Sequence, residues 1–195
     1  MKFSRNSKTG ILEAYSDDGV YQGNIITMGD TLQEYKERKA RSFNMDMIEK
    51  MQLRSENVGY GPCPKPEDEV EQHLTITSKG RVWLSRYCFG NGFGEFQLTE
   101  KRSFSIPEQS AKMILEALGE YFSKGEPNFH VTDTGSWELT LTDAFDKRFR
   151  VDGSLCEDLQ TMQGGVSDLI RICLGINDLF VFDGLSEDDI DSDIE

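Results

Sequence analysis

Between Thr132 and Gly184 the spacing of apolar residues changes from alternation to a helical stripe and then to an unbroken run. Trp137, Leu139 and Leu141 alternate with Glu138, Thr140 and Thr142, the period-two pattern of a strand with one buried face. Phe149 and Val151 repeat the pattern after residues 143–146, a four-residue polar connection that suits an antiparallel hairpin. Ser167 is placed to cap a short helix, with Asp168 at the positive end of its dipole. Leu169, Ile170, Cys173 and Leu174 would form its apolar stripe, and Gly175 would stop it in a left-handed conformation. Leu179, Phe180, Val181 and Phe182 are too few for another helix and predict a buried strand beside the hairpin.

Upstream, Leu74 and Ile76 alternate with His73, Thr75 and Thr77. Ser78, Lys79 and Gly80 then turn the chain into a return strand over 82–88. A third strand is predicted over 95–104, with Phe96 and Leu98 in phase. Ser105 and Glu108 have the spacing of a capping box, Pro107 fits the first turn of a helix, and Gly125 ends it. Ala111, Ile114, Leu115, Leu118 and Phe122 mark the core side of that helix, and Phe129 with Val131 predicts a further short strand. The order strand, strand, strand, helix, hairpin, helix, strand predicts an α+β fold: an antiparallel sheet with two amphipathic helices packed on one face.

The first 58 residues read as a small, mainly helical N-terminal lobe. Short apolar runs at 11–15 and 20–28 predict two strands or a hairpin. A helix is predicted from Asp30 to Ser42, and a second from Asn44 to Arg54 on a stripe of Met47, Ile48 and Met51. Prolines 62, 64 and 66 stiffen the segment 59–70 into an extended connector. The expected divisions are therefore 1–58, the connector 59–70, a main domain 71–184 and an acidic tail 185–195.

Charge changes the picture more than composition does. The 195 residues hold 21 basic and 35 acidic side chains, a net charge of −14. Residues 1–70 hold 10 basic and 12 acidic groups against 11 and 23 in the remainder. A field of that sign repels a phosphate backbone, so direct nucleic-acid binding is expected only through the N-terminal lobe. There Lys36, Arg38, Lys39 and Arg41 form a basic island, which glutamates at helical spacing could equally neutralise. The tail carries Glu187, Asp188, Asp189, Asp191 and Asp193 and has no cation. It would attract a protein with a basic surface.

Candidate chemistry is sparse. Asp189, Asp191 and Asp193 have the early spacing of a calcium loop but lack its glycine and its closing glutamate. Residues 90–94, GNGFG, precede a strand rather than a helix, so a hairpin loop fits better than a phosphate cradle. No metal, cofactor or catalytic set is expected. Cys88, Cys156 and Cys173 are expected in the core, and Cys63 between two prolines is expected to be the reactive thiol. His73 and His130 would matter only if one stood beside a nucleophile or a paired acid. Glu157 and Asp158 read as a solvated pair. No run reaches the length of a membrane span and no apolar stretch follows the positive start, so a cytoplasmic protein is expected.

The segments GSWELTLTD (135–143), GSLC (153–156) and DLIRICLGINDLFVFDG (168–184) resemble those of small, uncharacterised, acidic bacterial proteins of the low-GC Gram-positive type. The likeness spans roughly 71–184 and implies no particular activity. In size and charge alone the chain is also similar to anti-CRISPR proteins. That similarity implies a non-enzymatic inhibitor that sequesters a basic, nucleic-acid-handling partner such as a CRISPR nuclease or its RNA complex. An RNA-directed hydrolase using His73, His130 and the basic island stands as an alternative, as does an intracellular immunity or adaptor protein.

Overall fold

The computed structural model describes residues 2–5, 12–15, 21–25, 43–59, 61–124 and 131–184, the first three of these as backbone. The chain divides into two units, Met1–Ser42 and Phe43–Glu195. In the first, β1 (Lys2–Arg5), β2 (Leu12–Tyr15) and β3 (Tyr21–Ile25) form an antiparallel sheet in the order β1-β2-β3, with β2 and β3 where short strands are expected. The helix expected over 30–42 lies outside the described residues.

The second unit is built on six antiparallel strands: β4 (Ile48–Glu56), β5 (Glu69–Thr77), β6 (Arg81–Cys88), β7 (Gln97–Ser105), β8 (Ser136–Asp143) and β9 (Arg148–Ser154). Their order is β7-β6-β5-β4-β8-β9. Helix α1 (Glu108–Ser123) follows β7, and α2 (Val166–Leu174) follows a small ribbon of β10 (Gln160–Thr161) and β11 (Gly164–Gly165). One face of the sheet supplies Met51, Leu53, Leu74, Ile76, Leu84, Leu139 and Leu141 to the core. Ile114, Leu115 and Leu118 of α1 and Val166, Ile170 and Leu174 of α2 close over it. The α+β class and the antiparallel sheet with two helices are therefore as the alternation predicts.

The helix expected from Asn44 to Arg54 is corrected. Met45–Met47 form one 3-10 turn, and the rest is β4, next to the middle of the sheet between β5 and β8. Met51, Leu53 and Ser55 are buried while Gln52 and Arg54 are exposed, which is a strand period and not a helical one. Pairing with two neighbours overrides the helix propensity of a Met-, Glu-, Lys- and Gln-rich segment. The proline-bearing segment 59–68 consequently joins adjacent strands of one sheet, and Asn57 N–H bonds Val70 O across its base at 2.8 Å.

Two capping expectations also change. Helix α1 begins after Pro107 with no side-chain cap, so Ser105 and Glu108 form no capping box. Helix α2 begins after Gly165, two residues earlier than expected, and Ser167 lies inside it, fully buried. The cap comes from a distance: Asp158 Oδ1 accepts from Ser167 N–H at 2.8 Å. Asp158 is thus a structural acceptor rather than half of a solvated pair. Gly175 does end α2 in a left-handed conformation, φ 66°.

Residues 179–182 are buried as expected but form no strand. Side chains satisfy their backbone instead of a ladder: Phe180 N–H donates to Gln72 Oε1 at 2.9 Å and Phe182 N–H to Ser167 Oγ at 3.2 Å. Val131 is likewise outside any strand, its N–H bonded to Ser154 Oγ.

Candidate functional site

The 3-10 turn and α1 approach each other closely because Gly119 faces the Met45 carbonyl, where a Cβ would collide. Beside that contact lies a cavity of about 580 Å³. Met45, Met47, Ile48 and Leu115 give it an apolar lining, and Asp46, Glu49, Glu116 and Glu120 surround this with carboxylates. Lys112, the one cation in the lining, is held by Glu108 at 2.8 Å. Glu120 accepts from Lys124 at 2.9 Å, and that bond holds its carboxyl below the usual range. Met47 is 44% exposed, a large apolar side chain open to solvent at the edge of an acidic groove.

A second polar centre fastens residues 176–184 to the sheet. Arg86, buried on β6, donates to both carboxylate oxygens of Asp178 at 2.6 and 2.7 Å and reaches Glu69 at 3.0 Å. The Arg86 bond keeps the Asp178 carboxyl below its ordinary range, and burial opposes it. Gln72 Nε2 donates to Asp178 O at 2.9 Å. Arg171 of α2 grips Asp183 with two bonds of 2.7 and 2.9 Å and also reaches the carbonyls of Leu179 and Gly184. The acidic sequence beyond Gly184 therefore follows a firmly anchored residue.

Among the described residues, neither helix lies on the other face of the sheet, called the open face. Its cross-strand rows run from Arg81, Lys50 and Arg148 at the hairpin end, through Trp83, Gln52 and Arg150, to His73, Arg54, Glu138 and Asp152, and finally to Tyr87, Glu71 and Glu56. In the last two rows Glu71 accepts from Arg54 Nε at 2.7 Å and from His73 Nε2 at 2.8 Å, and His73 stacks on Tyr87 at 4.8 Å. His73 thus stands beside an acid, but that acid is already neutralised by an arginine. His130 lies outside the described residues.

The basic island Lys36, Arg38, Lys39 and Arg41 and the tail residues Glu187, Asp188, Asp189, Asp191 and Asp193 also lie outside the described residues. Cys63 is exposed in its loop, and Cys88 and Cys173 are half-buried. Cys156, expected in the core, is exposed in the turn after β9; desolvation and the neighbouring Glu157 nonetheless push its thiol up. Gly90, Gly92 and Gly94 all take positive φ in the loop between β6 and β7, the hairpin-loop role expected of them. Among the described residues no cluster of His, Cys, Asp and Glu could hold a metal ion, and no helix is long and apolar enough to cross a membrane.

Sequence reading missed the groove and the open face alike. The groove joins residues 45–49 to residues 112–123, a proximity that follows from β4 being a strand. The open face consists of the polar halves of the alternating strands, Arg148 and Arg150 among them, which an alternation search passes over as the solvent side. No protein-family model matches this chain, and no curated protein matches it.

Proposed function

We propose that this chain is a non-enzymatic binding protein that sequesters a partner with a basic surface, a nucleic-acid-handling protein of the CRISPR-nuclease kind being the reading that its size and charge favour. The observation that carries the proposal is the groove beside α1. Arginine and lysine side chains are amphipathic, with an aliphatic stem and a charged head. Met45, Met47 and Leu115 offer the stem an apolar lining, and Asp46, Glu49 and Glu116 offer the head carboxylates. Opposite charge of this kind accelerates encounter and selects the partner more than it adds affinity.

Residues 187–195 supplement the groove in this reading. Their carboxylates follow an anchor made by Arg86, Arg171 and Ser167, so the attachment point of the charged segment does not wander. Deleting 187–195 is expected to slow association and flatten its salt dependence. The groove is tested by quantitative affinity capture from a bacterial lysate with the wild-type chain and with Asp46→Lys/Glu116→Lys. A nucleic-acid-handling protein recovered by the first and lost from the second is the expected result. Equal recovery by both would remove the groove from the mechanism.

A further inference from the structure

The open sheet face plays no part in that groove, and its charges are sorted from one end to the other. Arg81 on β6, Lys50 on β4 and Arg148 on β9 occupy alternate strands of one row, which spaces them about 10 Å apart. Arg150 stands in the next row, where Trp83 is 39% exposed on the same face. None of these four cations has a carboxylate within ion-pair distance among the described residues. By contrast, Arg54, Arg86 and Arg171 each hold at least one carboxylate. Among the described residues, most of whose charged side chains are acidic, these four stand unpaired.

We propose that the hairpin end of the open sheet face binds single-stranded nucleic acid, with Lys50, Arg81, Arg148 and Arg150 taking phosphates and Trp83 stacking on a base. The indole is flanked across the strands by Thr75 and Ser103, side chains too small to cover its ring. Arg81 lies over it at 5.9 Å, so one side of the ring already has a cation and a base would extend the stack. Thr75 and Thr140 bring hydroxyls between the basic side chains, and hydroxyls donate to phosphate oxygens.

An acidic peptide would match the charge but places a ring on the indole only where it carries an aromatic residue, whereas every nucleotide carries a base, and a duplex keeps its base faces stacked internally. The net charge of −14 does not decide against the site. Asp152 lies one row from Arg150, about 7 Å at strand spacing, but Glu138 and Asp152 lie two rows from Lys50 and Arg148, about 14 Å. The second separation is longer than the Debye length of roughly 8 Å at physiological salt. Locally the phosphates would meet cations.

The test is fluorescence anisotropy of short labelled oligothymidine and oligouridine with the full chain over a salt series. Four phosphate contacts predict a slope of log affinity against log salt of about −3. Arg148→Gln/Arg150→Gln should reduce its magnitude by roughly 1.4, and Lys50→Gln/Arg81→Gln, on other strands, should do the same. Trp83→Ala should weaken binding by about tenfold at constant slope. Glu138→Gln/Asp152→Asn should tighten it. Each variant is checked for a wild-type thermal midpoint by circular dichroism, and either double variant serves if the other fails to fold. Absence of binding at low salt would overturn the proposal, as would affinity unmoved by both pairs. Displacement by polyglutamate at equal charge concentration would also overturn it, because the site would then be one for acidic chains in general.

Discussion

Thr140 and Leu141 are consecutive on β8, yet Leu141 is completely buried beneath the helices while Thr140 faces the open side. The same division runs through all of the central strands. On the covered side apolar side chains interdigitate, and the arginine that enters, Arg86, is bonded to Asp178 and Glu69. On the open side, among the described residues, threonines, arginines and a tryptophan stand without a covering layer, and several of the cations have no partner. The fold needs only the first face. What the second carries is therefore the better place to look for binding.

The largest effect should come from breaking the covered side. Leu141→Ala is expected to cost about 3 kcal/mol, the transfer and cavity terms for a fully buried leucine. Thr140→Ala, one residue away, should stay within about 0.5 kcal/mol. Urea unfolding followed by Trp137 fluorescence measures both, and a similar loss in the two variants would mean that the open side is also packed.

A second contrast sets a paired arginine against a free one. Arg86→Ala should cost about 2–3 kcal/mol, less than a fully buried pair because Asp178 is 63% exposed. It should also speed hydrogen exchange at Phe180 and Phe182, whose amides depend on the segment that Arg86 anchors. Arg148→Gln should leave stability unchanged. Smaller again is Asp158→Ala, expected to cost about 1 kcal/mol through the lost cap on α2. Gly165→Ala should resemble it, because a Cβ there collides with the Asp158 carboxylate.

Acid should sharpen the comparison least but most specifically. Burial alone would raise the Asp143 carboxyl, yet N–H donors from Lys147, Phe145 and Asn44 hold it below its ordinary value near 3.8. Asp178 is depressed by Arg86. For both, stability is fully present above the ordinary value and is lost as pH falls through the depressed one. Asp158 has the opposite sign, raised chiefly by burial, so its protonation favours the folded state as pH falls. Denaturation across an acid series should show stability falling below about pH 4 in the wild type. Asp143→Asn should remove part of that slope.

Much of the covered face was legible in the sequence. Leu74 with Ile76, and Trp137 with Leu139 and Leu141, announce their strands by period, and Ala111 to Phe122 announce α1 by theirs. β4 was not legible, because Met47, Ile48 and Met51 satisfy a helical stripe as well as a strand, and only pairing with β5 and β8 decides between them. Residues 179–182 were legible as buried but not as irregular, since their acceptors, Gln72 and Ser167, come from distant elements. The groove and the basic row share that obstacle. They are products of strand order, which local pattern does not contain.

β7 has one consequence for how the protein keeps company with itself. It lies at the margin of the sheet, with every residue but Phe104 exposed. A nine-residue margin is a template on which a second chain could zip and then a third. Glu100, Lys101 and Arg102 sit in its middle, and charged residues at a sheet margin deter such growth. Replacing all three with valine should make the chain seed fibrils that the wild type does not seed at the same concentration. Thioflavin fluorescence would report the change even though the native fold, measured before growth, would be the same.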